Sequence, residues 1–478
     1  MHSEKNTKNH PNIVFVMADD MGYGDPGCYG AKKIKTPAID RLASEGMRFT
    51  DAHSSSAVCS PSRYSVLTGR YAWRSRLKDG VQCGHGAPLI EKDRSTVATL
   101  LKSKGYSTGA FGKWHLGFDY RLKNGDIIPV EKSYLEKDDA DNMEFDYSKP
   151  LKGGPLDCGF DEYFGISGSL DMPPYCFIEN EHTVGIPNIP KKTATQQRPG
   201  LTVSDWDDTM VDVKFTEKTC SFIKNESEKN NPFFAYVPLS SPHRPNVSPA
   251  FVSGKSYAGP RGDAVMLADW CLDRILKTID ECNAAENTIV IFTSDNGANP
   301  CDFYGRSYGH KSCGDLRGFK ADIFEGGHRV PFIVKWPGVV KSNSVSNSLT
   351  GLIDLFATIE EISDSKIPNS EAQDSISFLP ILKNPSAKTR ETIINHSAKG
   401  MFAIRSKDWK LIDGLGSGGQ SRPYSYLPQR PGETGQLYSF KDDCWENINF
   451  YLNNKDIVSD LKEKLENIKK KSSKETED

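Results

Sequence analysis

Two acidic clusters that follow apolar segments are the first residues whose types suggest chemistry. Asp19 and Asp20 follow residues 12–17 after a single alanine, and Asp295 and Asn296 follow residues 288–294. Ca²⁺ accepts roughly six to eight oxygen ligands from carboxylates and amides, whereas Zn²⁺ favours His or Cys. Asp and Asn are also common where strands end. The pattern alone leaves a calcium site and ordinary loop residues both open.

A second cluster surrounds a cysteine in residues 59–63 (CSPSR). Pro61 is typical of the first turn of a helix, which we expect to run to about Leu67. Cys59 would then lie at the positive end of the helix dipole, with Arg63 one turn further along. This arrangement indicates an anion site around a reactive side chain. A buried structural cysteine is the alternative, although neighbouring serines make the surroundings polar.

A glycine motif in residues 22–27 (GYGDPG) gives a competing interpretation, because GxGxxG after a strand is typical of dinucleotide-binding enzymes. Two features count against it. Asp19 and Asp20 would place negative charge beside the pyrophosphate, and the next helix signal begins only at Thr36, so the glycines do not open a helix. A dinucleotide-binding oxidoreductase is therefore kept only as a remote alternative.

The elements that must position these residues alternate between strand and helix, which predicts an α/β fold with a large, mostly parallel sheet sandwiched by helices. Ligands of such sheets bind beyond the carboxyl ends of the strands. Residues 118–205 show little periodicity and are predicted to be loops over the sheet. The strand-like segments are residues 12–17, 107–112, 232–239 and 287–293, and the helix-like segments are residues 36–46, 96–104, 208–224 and 263–282.

The pattern changes after a helix-like run at residues 349–362. Short amphipathic strands are predicted within residues 400–412 and 436–440, followed by a charged helix at 456–471. We therefore predict an N-terminal α/β catalytic domain of residues 11–375. Residues 376–478 would form a smaller C-terminal α+β domain with a charged tail.

Composition excludes several classes of protein. The 478 residues are 37% hydrophobic and 26% charged, as in folded globular chains, and the net charge of −3 gives no basic surface for nucleic acid. No apolar run approaches the ~20 residues of a membrane span. The first eleven residues are polar, so any export signal is either absent or already removed. The eleven cysteines show no CxxC spacing, and their odd number leaves at least one thiol unpaired.

Residues 59–63, followed by 67–70 (LTGR), resemble the signature of the type I, formylglycine-dependent sulfatases of the alkaline phosphatase superfamily. Residues 105–117 (GYSTGAFGKWHLG) resemble the second signature of that family. Shorter motifs at 241–243 (SPH), 293–297 (TSDNG) and 325–327 (EGG) follow in the order of the family. The resemblance covers about residues 11–450.

This resemblance implies that a formylglycine-generating or radical-SAM maturase oxidises Cys59 to 3-oxoalanine (formylglycine). It also implies a hydrated formylglycine that attacks sulfur. We expect His243, helped by Lys320, to protonate the leaving oxygen, and His115 to remove the proton from the remaining hydroxyl. The implied Ca²⁺ ligands are Asp19, Asp20, Asp295 and Asn296 together with the modified Cys59, and the implied catalytic residues are Cys59, Arg63, Lys113, His115, His243 and Lys320.

The substrate must be inferred from residues near the expected mouth of the site. Polar and aromatic groups there favour a sulfated carbohydrate over an aryl or steroid sulfate. The chain is similar in style to bacterial polysaccharide sulfatases, which suggests an algal or host sulfated galactan and a periplasmic or extracellular location. The candidate substrate contacts are Asp171, His182, Arg306 and His310.

Three alternatives stay open besides the dinucleotide enzyme. They are an arylsulfatase acting on small aryl sulfates, a phosphoester or phosphonate hydrolase of the same superfamily, and a non-catalytic glycan-binding protein. The sequence does not define the sugar, the position of its sulfate, endo or exo action, or the oligomeric state.

Overall fold

A computed structural model describes residues 10–130, 133, 143–194, 196–299, 306–366, 368, 370–441 and 443–470. In these ranges the helices are α1 (Pro37–Glu45), α2 (Cys59–Thr68), α3 (Val97–Lys102), α4 (Val211–Glu228), α5 (Gly259–Glu281), α6 (Glu325–His328), α7 (Leu355–Ile362), α8 (Leu379–Lys383) and α9 (Lys455–Lys470). The strands are β1 (Asn12–Ala18), β2 (Met47–Phe49), β3 (Ala52–His53), β4 (Ser107–Lys113), β5 (Glu162–Ile166), β6 (Ile178–Glu179), β7 (His182–Thr183), β8 (Ile189–Pro190), β9 (Leu201–Thr202), β10 (Phe233–Pro238), β11 (Thr288–Ser294), β12 (Phe332–Lys335), β13 (Ser344–Ser346), β14 (Thr350–Gly351), β15 (Thr392–His396), β16 (Phe402–Ser406), β17 (Trp409–Ile412) and β18 (Gln436–Ser439).

The central sheet has ten strands in the order β13-β2-β12-β11-β1-β10-β4-β5-β6-β7. Its middle is parallel, because β1 pairs in parallel with both β11 and β10, and β4 pairs in parallel with both β10 and β5. Antiparallel pairings involve β12 on one side and β6 and β7 at the other edge. The predicted large, mostly parallel sheet is therefore confirmed.

Helices cover both faces of this sheet. In β1, Phe15 and Met17 belong to a core shared with α2, α3 and α7, whereas Val14 and Val16 belong to a core shared with α1, α4 and α5. Successive strand residues point to opposite faces, so an apolar residue at every position requires cover on both sides. This explains why the strand reads as a continuous apolar run.

The C-terminal region contains a four-stranded antiparallel sheet, β15-β16-β17-β18, against which α9 packs through residues such as Leu461 and Leu465. This arrangement agrees with the predicted α+β character. Phe378 and the residues of α8, however, belong to the core beneath the central sheet, and the antiparallel sheet begins at Thr392. The domain division at residue 375 stays a prediction.

Two predictions of secondary structure were wrong. Residues 118–205 contain β5, which extends the central sheet, as well as the short strands β6 to β9. Five residues with no alternation give too little periodic signal, and β5 is defined by its pairing with β4. The helix predicted from residue 349 begins at Leu355, because Thr350–Gly351 pairs with β3. Residues 131–132, 134–142 and 195 of the 118–205 segment lie outside the described residues.

No helix in the described ranges is both long and apolar enough to cross a membrane. The ten cysteines within those ranges are all free thiols.

Candidate active site

The predicted site residues meet at one edge of the sheet because their strands are adjacent and parallel. The carboxyl ends of such strands lie at the same edge, where loops can converge. The strand order places β1 between β11 and β10, with β4 next to β10. The residues that follow these strands are Asp19 and Asp20 after β1, Asp295 and Asn296 after β11, His243 after β10, and His115 after β4.

Helix α2 brings Cys59 to this edge. The helix begins at Cys59, as the position of Pro61 predicted. It ends at Thr68 and is capped by Gly69, which adopts the left-handed conformation (φ +63°). Every residue of α2 is buried, so no polar face reveals its orientation in the sequence. The Cys59 Sγ lies 3.6 Å from Asp19 Oδ1 and 3.6 Å from Lys320 Nζ. Burial raises the pKa of Cys59, so the unmodified side chain is a thiol.

Three carboxylates at the site each pair with one cation at 2.7 Å. The pairs are Arg63 with Asp295, Lys113 with Asp19, and Lys320 with Asp20. All of these side chains are almost fully buried, Lys320 being the most exposed at 13%. The opposite charges balance, and an added divalent cation would therefore leave the site positive, as an anionic substrate requires.

The electrostatic balance differs among the carboxylates. Burial and the neighbouring charge of Asp19 raise the pKa of Asp295. Burial would also raise the pKa of Asp20, but the positive charge of Lys320 outweighs it and holds that pKa below its usual range. The raised pKa of Asp295 indicates carboxylates crowded together, an arrangement that a bound cation relieves.

The donor atoms fit a hard divalent cation. Ligand atoms of Asp19, Asp20, Cys59 and His243 lie within 4.8 Å of one another. Asn296 donates from Nδ2 to Asp20 Oδ1 at 2.8 Å, while its Oδ1 is buried without a hydrogen-bond partner. A buried carbonyl oxygen without a partner is costly unless a donor or a cation satisfies it. The carboxylate and amide oxygens together are the donor set that Ca²⁺ prefers.

His115 is oriented by β5, the strand that the sequence did not predict. Its backbone N–H donates to Ser167 O, directly after β5, and its Nε2 lies 2.8 Å from Gln82 O. Since a carbonyl only accepts, Nε2 carries the proton and Nδ1 is the acceptor. Nδ1 is buried without a partner. Burial and the charge of Lys113 hold the pKa of His115 well below its usual range, which leaves Nδ1 free to accept a proton.

His243 follows a loop that α4 holds in place. Asp212 of α4 accepts the backbone N–H groups of Ser240 and Ser241, each at 2.8 Å. His243 Nδ1 lies 2.7 Å from Arg244 O and therefore donates to it, so Nε2 faces Asp20 at 3.6 Å. Burial, together with the charge of Lys320, lowers the pKa of His243 to about 4.

A cavity of about 400 Å³ opens above Cys59. Asp171 lies in its wall with no exposed surface, where Oδ2 accepts from Arg244 Nε at 3.1 Å and the buried Oδ1 has no hydrogen-bond partner. The lining combines predicted residues (Cys59, His115, Asp171, His243 and Lys320) with residues that sequence reasoning missed, among them Asp79, Arg244 and Gln420. Arg244 follows His243 directly in residues 241–245 (SPHRP). This position was the only indication in the sequence that Arg244 belongs to the site.

Three predicted substrate contacts lie elsewhere, outside the residues that line the cavity. His182 is exposed on the edge strand β7. Arg306 is exposed and lies over the Tyr308 ring, 5.4 Å from its centroid. His310 is buried against Asp25, with Nε2 2.8 Å from Oδ1. Loops that are polar in the sequence need not converge in space, so the sequence could not separate these residues from Asp171. The catalytic and metal-binding roles of the residues that do converge stay predictions.

The fold and the site together define a hydrolase of anionic esters, and sequence comparison identifies its family. The family described as Sulfatase matches residues 11–364. A second family, described as the C-terminal part of N-sulphoglucosamine sulphohydrolase, matches residues 318–471. The chain belongs to the sulfatase family and is a sulfuric ester hydrolase. Ca²⁺ and formylglycine are general to this family, and the dinucleotide-binding interpretation was wrong.

Individual relatives agree with this assignment. The N-acetylgalactosamine-6-O-sulfatase of Bacteroides thetaiotaomicron is 33% identical, with 96% of this chain and 93% of the relative covered. Human arylsulfatase A is 29% identical, with 84% and 74% covered. A solved sulfatase from work on glycosaminoglycan metabolism by Bacteroides thetaiotaomicron is 31% identical with a TM-score of 0.83, covering 97% of this chain and 100% of the other.

A more distant solved structure shares the fold alone. It contains a protein in complex with its substrate D-glucosamine-2-N,6-O-disulfate. It is 20% identical to this chain with a TM-score of 0.62, and the match covers 98% of this chain and 99% of the other.

Proposed function

We propose that this sulfatase releases sulfate from a sulfated carbohydrate. The observation that carries the proposal is the Asp171–Arg244 pair in the wall of the Cys59 cavity. A buried carboxylate with one free oxygen beside a guanidinium is suited to a sugar hydroxyl, which accepts one hydrogen bond and donates another.

The rest of the cavity and the relatives support the same class of substrate. Asp79 and Gln420 add polar groups at the wall, and Met172 adds an apolar surface for a sugar face. The 33% identical relative is named for an N-acetylgalactosamine-6-O-sulfatase activity. We therefore take a sulfated amino sugar or galactose as the first substrate to test.

We further propose that Cys59 is converted to formylglycine by a maturase and that Asp19, Asp20, Asp295 and Asn296 hold a Ca²⁺ ion beside it. The ion would supply positive charge to the sulfate oxygens, and the hydrated aldehyde would supply the nucleophilic hydroxyl. The unpartnered Asn296 Oδ1 and the crowded carboxylates support the metal. The position of Cys59 at the start of α2 supports an anionic group there.

The protein's own side chains have separable roles in this proposal. Arg63 and Lys113 pair with the carboxylates of Asp295 and Asp19 and hold them in place. Lys320 remains protonated because Asp20 raises its pKa, although burial alone would lower it. It lies 3.6 Å from Cys59 Sγ, close enough to contact the sulfate ester.

Two histidines would handle the protons. His243 and Lys320 both line the cavity, and this pair is our candidate for protonating the leaving oxygen. The proton would come from Lys320, because the pKa of His243 is about 4 whereas that of Lys320 is raised. His115 lines the same cavity, and its Nδ1 is unprotonated and has no hydrogen-bond partner. It is our candidate for accepting the proton of the nucleophilic group, since its tautomer is fixed by Gln82.

A polymeric carbohydrate substrate would require the enzyme outside the cytoplasm. We propose a periplasmic or extracellular location, with the maturase acting on Cys59 before export is complete. Fractionation of the native host with an antibody to the protein tests the location directly, and detection in the cytoplasmic fraction alone would refute it.

The experiment that tests the function combines mass spectrometry with sulfate release. Protein co-expressed with a maturase is digested, and the peptide containing Cys59 is examined for conversion of the thiol to the aldehyde. Sulfate release is then measured on sulfated monosaccharides, sulfated galactans and an aryl sulfate, with phosphate release from a sugar phosphate in parallel. We expect conversion of Cys59 and a preference for sulfated sugars.

Two cysteine variants control this experiment. Cys59→Ala removes the modified side chain and should abolish release, whereas Cys444→Ala changes an exposed cysteine and should leave release unchanged. A thiol at Cys59 in active enzyme would refute the formylglycine proposal. A preference for the aryl sulfate or the sugar phosphate would refute the proposed substrate class.

A further inference from the structure

Asp20 has an unusual backbone conformation. It lies two residues after the end of β1 and has φ +65°, in the left-handed region that residues with side chains rarely adopt. Such a conformation persists only where surrounding contacts hold it. Because the direction of its carboxylate depends on this backbone geometry, the groups that hold residue 20 also set the position of a proposed metal ligand.

Both backbone polar groups of Asp20 are bound by charged side chains. Its N–H donates to Asp295 Oδ1 at 3.2 Å, and its carbonyl oxygen accepts from Arg261 at 2.9 Å. Asp295 belongs to the site itself. Arg261 comes from the first turn of α5, is 5% exposed and does not line the cavity.

Arg261 is held by a second carboxylate behind the site. Its two terminal nitrogens donate to the two oxygens of Asp25 at 2.8 and 2.7 Å, and one of them also donates to Ser312 Oγ at 2.9 Å. This bidentate geometry fixes the plane of the guanidinium. The second N–H of Nη2 then points towards the Asp20 carbonyl.

Asp25 is in turn fixed by two further contacts. It has no exposed surface, and it accepts from His310 Nε2 at 2.8 Å and from the backbone N–H of Gly22 at 2.7 Å. Gly22 has to be glycine, because a Cβ there would come within 2.2 Å of Ser312 O. Close packing behind Asp20 thus explains the first glycine of the motif at residues 22–27.

We propose that Asp25, Arg261 and His310 form a brace that holds Asp20 in its left-handed conformation and thereby places its carboxylate for Ca²⁺. Arg261 is a positioning residue in this proposal, since none of its contacts reaches the cavity. The proposal rests on the Ca²⁺ site of the proposed function. It also gives His310, which the sequence suggested as a substrate contact, a different role.

The test compares Ca²⁺ binding between brace variants and a matched control. Arg261→Lys keeps the charge of the side chain but cannot bond Asp25 and Asp20 with one planar group. Arg274→Lys makes the same change at an exposed position of α5. Each protein is freed of metal with a chelator, and its melting temperature and sulfate release are followed as Ca²⁺ is added.

Residues that orient metal ligands typically change metal affinity by about 10- to 100-fold when they are altered. We therefore expect Arg261→Lys to raise the half-saturating Ca²⁺ concentration at least ~10-fold in both measurements. At saturating Ca²⁺ we expect kcat to recover towards the wild-type value. Arg274→Lys should match the wild type throughout.

A purely structural role would lower the melting temperature of Arg261→Lys equally with and without Ca²⁺ and would leave the half-saturating Ca²⁺ concentration unchanged. That result would overturn the brace.

If Arg261→Lys does not fold, the variants His310→Leu and His310→Gln test the same proposal. Leu removes the bond to Asp25 and should raise half-saturation, whereas Gln restores an N–H donor and should return it towards the wild type. Unchanged half-saturation in His310→Leu would equally overturn the brace. A wild-type protein that shows no response to Ca²⁺ would instead refute the metal site of the proposed function.

Discussion

Replacing Asp171 with asparagine separates recognition of a sugar from the chemistry of sulfate ester hydrolysis. The carboxylate bonds Arg244 through Oδ2 and leaves Oδ1 without a partner at the cavity. Asparagine keeps the shape and the contact with Arg244 but removes the negative charge. A hydrogen bond to a charged group contributes about 1.5–3 kcal/mol. At ~1.4 kcal/mol per tenfold change, we expect kcat/KM for the sulfated sugar to fall ~10- to 150-fold.

The assay for this prediction uses two substrates on the same enzyme preparation. An aryl sulfate carries no sugar hydroxyl, so its kcat/KM should change little in Asp171→Asn. Asp205→Asn changes an exposed carboxylate outside the cavity and serves as the matched control. Asp171 also lies 3.8 Å from His243 Nδ1, and an equal loss on both substrates would show that it supports His243 instead of the sugar. That result would refute the reasoning.

Three further predictions concern protons, packing and the metal. His115→Gln removes the free Nδ1 and should lower kcat ~100- to 10,000-fold with an unchanged melting temperature. His182→Ala, outside the cavity, should leave activity unchanged. Lys410→Ala removes the cation that the buried Glu325 and Glu446 share and should lower the free energy of unfolding by ~3–5 kcal/mol in urea titrations. Lys407→Ala, on the exposed turn before β17, should change it by less than ~0.5 kcal/mol. Chelation should lower the melting temperature, because Ca²⁺ at ~100 times its Kd adds about 2.7 kcal/mol.

Each of these predictions has a result that contradicts it. Unchanged kcat in His115→Gln would exclude Nδ1 as the base. If Lys410→Ala lowers the free energy of unfolding no more than Lys407→Ala does, water or Arg405 compensates the charges of Glu325 and Glu446. Arg405 is the candidate because its Nε lies 3.7 Å from Glu325. A melting temperature that is insensitive to chelator and to added Ca²⁺ would contradict the metal site.

The sequence predicted most of the parallel core because each of its strands has a local signal. β1, β10 and β11 are continuous apolar runs, which an α/β sheet with both faces covered requires. The residues after these strands could therefore be assigned to one edge of the sheet from the amino-acid pattern alone. β5 escaped prediction because five residues without alternation carry little information, although this strand holds the backbone of His115.

Among the site residues, the predictable ones lie within contiguous motifs. Cys59 and Arg63 share one helical turn, and Lys113 and His115 share the end of one strand, so short stretches of sequence reveal them. The substrate wall is different, because Asp171, Arg244 and Gln420 come from three distant segments. Of the four proposed substrate contacts, only Asp171 reaches the cavity.

The amino-acid sequence by itself determined the class of fold and the family, and it predicted the residues that meet around Cys59. These depend on local patterns: apolar runs, a helix start at Cys59 and short motifs with fixed spacing. Only the tertiary structure decided which loops meet. It paired Asp171 with Arg244, left Asn296 Oδ1 without a donor, and set Arg261 behind Asp20, 241 residues away in the chain. Contacts between distant segments depend on how the whole chain packs, and no local pattern of residues specifies them.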